Sequence, residues 1–294
     1  MRAYLSRLGL IDAAAAIKIA KQVRDRDDVT VWRCPKSGII FLEGNDTEVE
    51  DYYAKKDVES DPNRSITTTG AVTHDTLWQD DDTRRAEQFS DFLRGKVWLD
   101  FGAGGGGLVN ILRNTVSRAY AYELNAMQCT RMRAKSIDVL DDWSALADES
   151  LDVLTLFHVF EHLSQPIELL GGLIEKLKPR GVAIVEVPHA NDFLLKQLDC
   201  GPFMRFSLWS EHLVLHTRAS LEAMMRLAGL QEIVISGYQR YPLSNHLYWL
   251  RHGLPGGHEL WGGIETDEFR SAYGQMLNRI DQTDTIIAVC RKPS

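Results

Sequence analysis

The stretch Val97-Trp98-Leu99-Asp100-Phe101-Gly102-Ala103-Gly104-Gly105-Gly106-Gly107 decides the fold. Five residues suited to a buried strand run into glycines, and LVNILRN follows with helical spacing. A strand–glycine–helix turn lets backbone approach a ligand closely at the carboxyl end of the strand. The run alone is ambiguous, because Gly102, Gly104 and Gly107 also satisfy the dinucleotide spacing GxGxxG. Glu123 ends the next strand candidate roughly 20 residues on, where an acid would meet a ribose diol for either ligand. Asp100 separates the two. A carboxylate just ahead of the first glycine repels a pyrophosphate and favours a ligand carrying an ammonium group.

Working outward, RAYAYE, SIDVL, LDVLTLF and VAIVEVP are short apolar runs that alternate with helical stretches, the pattern of a βαβ sheet. In SQPIELLGGLIEKLK, Ser164 is the expected N-cap and Pro166 lies in the first turn. Thr217 to Ala228 is amphipathic and closed by Gly229, and QEIVISG and DTIIAVC complete a set of seven strands. The expected fold is α/β, a Rossmann-like, doubly wound, seven-stranded sheet. Upstream, Asp12 to Arg26 reads as an alanine-rich helix with Asp12 as N-cap. VTVWRC and GIIFLE, around Pro35-Lys36-Ser37, read as a β-hairpin, and the polar stretch from Asn45 to Asp82 as a connector or mobile arm. The expected division is an extension over residues 1–82 and a sheet domain over 83–294, with an insertion at 241–283 acting as a lid before the last strand.

Composition excludes several classes. The chain has 294 residues, 44% hydrophobic and 25% charged, which is globular rather than disordered. Its net charge of −8 argues against a nucleic-acid or anionic-membrane binder. No apolar run reaches the ~18 residues of a membrane span. Four widely spaced cysteines, with no CxxC pair, suit a reducing compartment, so a cytoplasmic location is expected.

Two further stretches, LDVLTLFHVFEHLSQP and LKPRGVAIVEVPH, complete a pattern that resembles class I S-adenosylmethionine-dependent methyltransferases. The likeness is strongest to the bacterial group that methylates sugars and other small metabolites. Arg180 stands where that family has the first glycine of its LKPGG turn. The resemblance implies that Gly102, Ala103, Gly104 and Gly106 pack on the methionine part of the cofactor, with Asp100 at its ammonium end. It implies that Glu123, beside Leu124, binds the ribose hydroxyls, that Asp142 and Trp143 border the adenine, and that Phe157 and His158 line the pocket. A nicotinamide oxidoreductase and a non-catalytic adenosylmethionine-binding protein are the rival classes.

His158-Val159-Phe160-Glu161-His162 also fits a zinc-protease signature, but a metal held by both histidines needs a helix through the motif. The motif is fused to a strand candidate, so no metal is expected there. Arg33-Cys34-Pro35-Lys36-Ser37-Gly38 resembles a zinc knuckle of some sugar C-methyltransferases with its second cysteine replaced by Ser37, and one thiolate does not hold a structural zinc. Trp209-Ser210-Glu211-His212-Leu213 resembles the Y-H-E-H-L segment of the same enzymes. That likeness makes His212 the candidate general base, with Glu211 raising its basicity and an ionisation near neutrality. The alternative is that Glu211 and His212 only fix a loop. His162 either shapes the acceptor site or caps the next helix. The insertion offers Arg240, Asn245, His246 and His258 as acceptor contacts. The expected reaction is methyl transfer to a hydroxyl of a sugar or nucleotide-linked sugar, a small-molecule acceptor, with sugar C-methylation as the alternative.

Overall fold

The computed structural model describes residues 1–44 and 74–294. The chain opens with α1 (Arg2–Arg7), then β1 (Ile17–Ala20), β2 (Thr30–Arg33) and β3 (Ile40–Glu43). A long helix, α2 (His74–Leu93), leads into β4 (Val97–Phe101), α3 (Gly107–Leu112), β5 (Arg118–Tyr122), α4 (Ala126–Ala134) and β6 (Asp138–Leu140). There follow β7 (Leu151–Phe157), α5 (Pro166–Lys176), β8 (Leu177–Pro188), α6 (Phe193–Lys196), α7 (Gly201–Ser207) and β9 (Val214–Leu215). The chain closes with α8 (Arg218–Leu227), β10 (Gln231–Tyr238), α9 (Leu243–His252), α10 (Gly257–Leu260), α11 (Asp267–Arg279) and β11 (Thr285–Arg291).

The main sheet has seven strands in the order β10-β11-β8-β7-β4-β5-β6. Strands β4 to β8 run parallel to their neighbours, and β11 enters antiparallel between β8 and β10. The order reverses at β4, so the carboxyl ends of β4 and β7 open a crevice for a ligand. Trp98, Leu99, Leu154 and Ile184 are fully buried, as expected of strands covered on both faces. Arg180 takes a left-handed φ of 61°, the conformation for which glycine is the ordinary choice. No described helix is long and apolar enough to cross a membrane.

The hairpin forms as expected, with β2 and β3 antiparallel, but it belongs to a second sheet ordered β1-β2-β3-β9. The helix expected over Asp12–Arg26 does not form. Asp12 accepts only from Ala14 N–H and Ala15 N–H, a single turn, and Ile17–Ala20 then pairs with β2. Alanine's preference amounts to tenths of a kcal/mol per residue, and strand pairing outweighs it. Part of the expected connector is also corrected: His74–Asp82 is the first half of α2, so the 82/83 division falls inside a helix. Residues 45–73 of that connector lie outside the described residues. Pro166 takes the first helical position of α5, but the N-cap is Gln165 rather than Ser164.

Two histidines inside this fold set an acid limit on stability. Burial pushes the pKa of His216 and of His246 down to about 4, so both are neutral in the folded chain. On unfolding they return to about 6.5. Below that pH the unfolded chain takes up protons that the folded chain refuses, and stability falls by up to about 1.4 kcal/mol per pH unit per site. The contribution is read by difference, because the raised carboxyls of this fold act in the opposite sense over the same range: His246→Gln should lose Tm less steeply than the parent between pH 6.5 and 4, and equal slopes would contradict the assignment.

Candidate active site

The glycine loop is shaped by close contacts. Gly102, Gly104 and Gly106 all have positive φ, at 78°, 53° and 69°. A Cβ at Gly102 would overlap the Val159 side chain from the β7 loop. Gly102 and Ala103 N–H donate to Tyr122 O (2.8 and 3.0 Å), and Gly104 N–H donates to Glu123 Oε2 (2.9 Å). Asn125 N–H donates to the other oxygen, Glu123 Oε1 (2.9 Å). Each oxygen of Glu123 therefore keeps acceptor capacity for a ligand hydroxyl. Asp100 is 4% exposed and accepts from Thr155 Oγ1–H (2.6 Å). Burial raises its pKa to about 7, and Asp82 beside it adds to the rise. Burial likewise lifts Asp82 to about 6. Three carboxyl groups thus converge where a cationic ligand would relieve their repulsion.

Behind this loop lies a buried ionic anchor. Arg84 of α2 meets Glu186 of β8 in a fork, with two bonds of 2.8 Å, and Arg85 adds a third at 2.7 Å. His158 Nε2 approaches the same carboxylate at 3.2 Å. Burial alone would raise the Glu186 pKa, but Arg85, His158 and Arg84 outweigh it and hold it well below the usual range. His158 stands in the left-handed region (φ 54°), with its N–H donating to Glu186 O (2.9 Å). Its Nδ1 faces Glu161 Oε1 at 3.1 Å.

At the far end of the cavity, two imidazoles meet. His162 and His212 lie 5.0 Å apart between ring centroids, and His212 packs edge-on against Trp209. His162 Nδ1 is 2.8 Å from Glu211 O; a carbonyl only accepts, so that nitrogen carries the hydrogen. His162 Nε2 lies 3.7 Å from Glu161 Oε1. Burial first, then the neighbouring His162, hold the His212 pKa well below its ordinary value. The ionisation near neutrality expected of His212 is therefore corrected downward. The carboxylate opposing that shift is Glu161, not Glu211.

One cavity of about 650 Å³ joins these two ends. The model for the methyltransferase domain family matches residues 77–234, more than half of the chain. The chain belongs to that family. Among solved structures, a SAM-dependent methyltransferase from Archaeoglobus fulgidus aligns with a TM-score of 0.50 at 15% identity, over 73% of this chain and 94% of that one. Another from Thermotoga maritima aligns at 0.47 and 16%, over 74% and 98%. Phosphoethanolamine N-methyltransferase 2 of Haemonchus contortus, in complex with S-adenosyl-L-methionine, aligns at 0.44 and 14%, over 73% and 53%. At these identities the likeness concerns the fold. No protein of curated function matches the sequence.

The residues present fit S-adenosylmethionine as the methyl donor. The glycines leave the space that a Cβ would fill, Glu123 presents both oxygens, and the acids suit a positively charged ligand. Asp100, Gly102, Ala103, Gly104, Glu123 and Leu124 all reach the cavity. So do Trp143, Phe157 and His158, and also His162, His212, Arg240, Asn245, His246 and His258. Three expected residues do not. Gly106 faces Met132 and Ile137, so its role is packing. Asp142 caps a short turn through Ser144 N–H and Oγ–H (2.8 and 2.9 Å), leaving Trp143 alone at the wall. Glu211 is 2% exposed, and its contribution is the carbonyl that orients His162.

The expected acceptor residues also bond within the protein. Arg240 approaches Asp284 (3.5 Å) and Asp81 (3.7 Å), and His246 Nδ1 meets the Tyr273 hydroxyl at 2.7 Å. Trp249 is core, packed on Phe203 and Phe206. Sequence reasoning missed Arg24, whose guanidinium stacks 4.8 Å from Trp209, and the Arg84–Arg85–Glu186 anchor. A lone acid inside the apolar run VAIVEVP was the one available signal for the latter.

Glu123→Ala should weaken adenosylhomocysteine binding at least tenfold, since each bond to a charged acceptor contributes roughly 1.5–3 kcal/mol. Calorimetry reads this directly, and a smaller loss would reject Glu123 as the ribose acceptor. Gly102→Ala should weaken binding too, because its φ and the Val159 contact both oppose a side chain.

Proposed function

We propose that this methyltransferase transfers a methyl group to a hydroxyl of a small polar acceptor, a sugar or nucleotide-linked sugar. The observation that carries it is the single cavity with a glycine–carboxylate end and a His162–His212 end. Its volume of about 650 Å³ lies within the range of small-molecule pockets, roughly 300–1,000 Å³, and supports a compact acceptor. Trp209 and Tyr241 supply aromatic walls for a sugar or base. The net charge of −8 and the four free, buried cysteines support action on a metabolite in the cytoplasm, without nucleic acid or membrane as partner.

When bound, S-adenosylmethionine supplies an electrophilic methyl group that needs no further activation. What the chain contributes is alignment, exclusion of water and removal of the acceptor's proton. Gly102, Gly104 and Glu123 hold one reactant, and the lid formed by α9 and α10 covers the other. The proton leaves at the His162–His212 pair, where the low basicity of His212 keeps a lone pair available at neutral pH. Trp209 and His212 of the Trp209–Leu213 segment line that wall, which keeps sugar C-methylation as a second reading in which the same pair accepts a carbon-bound proton.

Methyl transfer should be assayed against a panel of nucleotide sugars and free sugars, with product analysis separating O- from C-methylation. His212→Asn should lower kcat by roughly 10²–10⁴-fold and leave adenosylhomocysteine affinity unchanged. Near-full turnover by that variant, or selective methylation of nucleic acid or protein, would overturn the proposal.

A further inference from the structure

We infer that Glu161, His162 and His212 form a binding site for one divalent transition-metal ion, of which zinc is the natural probe. The inference deepens the proposed function, because it rests on that reading for the ion's task of holding the acceptor oxygen. The geometry is independent of it. One ligand atom from each of the three residues lies within 4.8 Å of the other two, the single such group of three metal-ligating side chains found among the described residues. Ligands at about 2.0–2.1 Å from a tetrahedral zinc sit roughly 3.4 Å apart, so small side-chain rotations close the set.

Two details point to a ligand rather than to packing. Glu161 is 0% exposed, yet its Oε2 has no hydrogen-bond partner. A buried carboxylate oxygen left in that state is costly unless a cation or donor meets it. The second detail is His162. Its Nδ1–H is fixed on the carbonyl of Glu211, which turns Nε2 towards Glu161. A histidine that donates one nitrogen to a carbonyl and offers the other is the usual outer arrangement of a metal ligand. His158 holds Glu161 Oε1 at 3.1 Å from the other side and so orients the carboxylate.

The site does not need His158 and His162 to share a helical face. The structure instead joins the adjacent Glu161 and His162, in a 3₁₀ turn, to His212 from a separate loop. Two imidazoles and one carboxylate suit zinc, manganese or iron, and are a poor match to the all-oxygen preference of magnesium. Three protein ligands leave a coordination position for a hydroxyl of the acceptor. In that arrangement the imidazole lone pairs are on the ion, which acidifies the bound hydroxyl so that its proton passes to solvent, and the ion replaces the direct base role of the His162–His212 pair.

The test uses the full chain, stripped by chelation and titrated with Zn²⁺ by calorimetry, with neither cofactor nor acceptor present. One ion per chain is expected, with Mg²⁺ bound far more weakly. Glu161→Gln and His212→Ala should each weaken Zn²⁺ binding at least tenfold, with circular dichroism confirming that each variant is folded. Co²⁺ should give a visible absorption band that His212→Ala abolishes. No stoichiometric binding, or binding unaffected by both variants, overturns the site. Binding lost only in Cys34→Ser would place the ion at the N-terminal hairpin and overturn it equally. A chain that binds zinc but methylates no sugar hydroxyl would sink the acceptor assignment and leave the metal site standing.

Discussion

Glu186 is the constraint on which the rest depends. A carboxylate with no exposure, at the carboxyl end of a central strand, is tolerable only because two guanidiniums and an imidazole converge on it. Removing one partner of such a buried set commonly costs about 3–5 kcal/mol, because the charge left behind has no solvent. The same contacts fix three separate elements. Arg84 and Arg85 hold α2 against the sheet, and α2 brings Asp81 and Asp82 to the cavity. His158 is held in its left-handed conformation and passes the order on to Glu161.

Burial therefore does two different things in one cavity. At the glycine end it lifts Asp100 and Asp82, so negative charge is held poorly until a cation arrives. At the histidine end it lowers His212, so positive charge is held poorly and lone pairs stay open.

The parallel sheet was legible because its signals are local. A strand, three positive-φ glycines and an acid at the end of the next strand need no distant partner to be recognised. Glu123 and Gly102 were readable for that reason, and both line the cavity. Misreadings arose where distant contacts override local preference. Asp12–Arg26 carries five alanines but answers to β2, and the helix that takes in His74–Asp82 is anchored farther along, by Ala86, Phe89 and Leu93 in the core and by Arg84 on Glu186. The neighbour of His212 in sequence, Glu211, drew attention from Glu161, which lies some fifty residues earlier and is its neighbour in space.

The loop that carries His212 is sewn to the first residues of the chain. Arg24 N–H donates to Leu208 O (2.9 Å), Asp25 accepts from Ser210 N–H and Oγ–H (2.9 and 2.6 Å), and Leu42 N–H donates to Leu213 O (3.0 Å). Strand β9 then pairs with β3. These partners are separated by about as much chain as a small domain contains, so closing that loop is entropically slow. During synthesis β3 emerges with an open edge and waits until Val214 and Leu215 have been made. The glycine end of the cavity uses nearer contacts and can form first. Competence to hold the cofactor would thus precede competence to hold the acceptor, and a nascent or N-terminally trimmed chain would bind the first without completing the wall for the second.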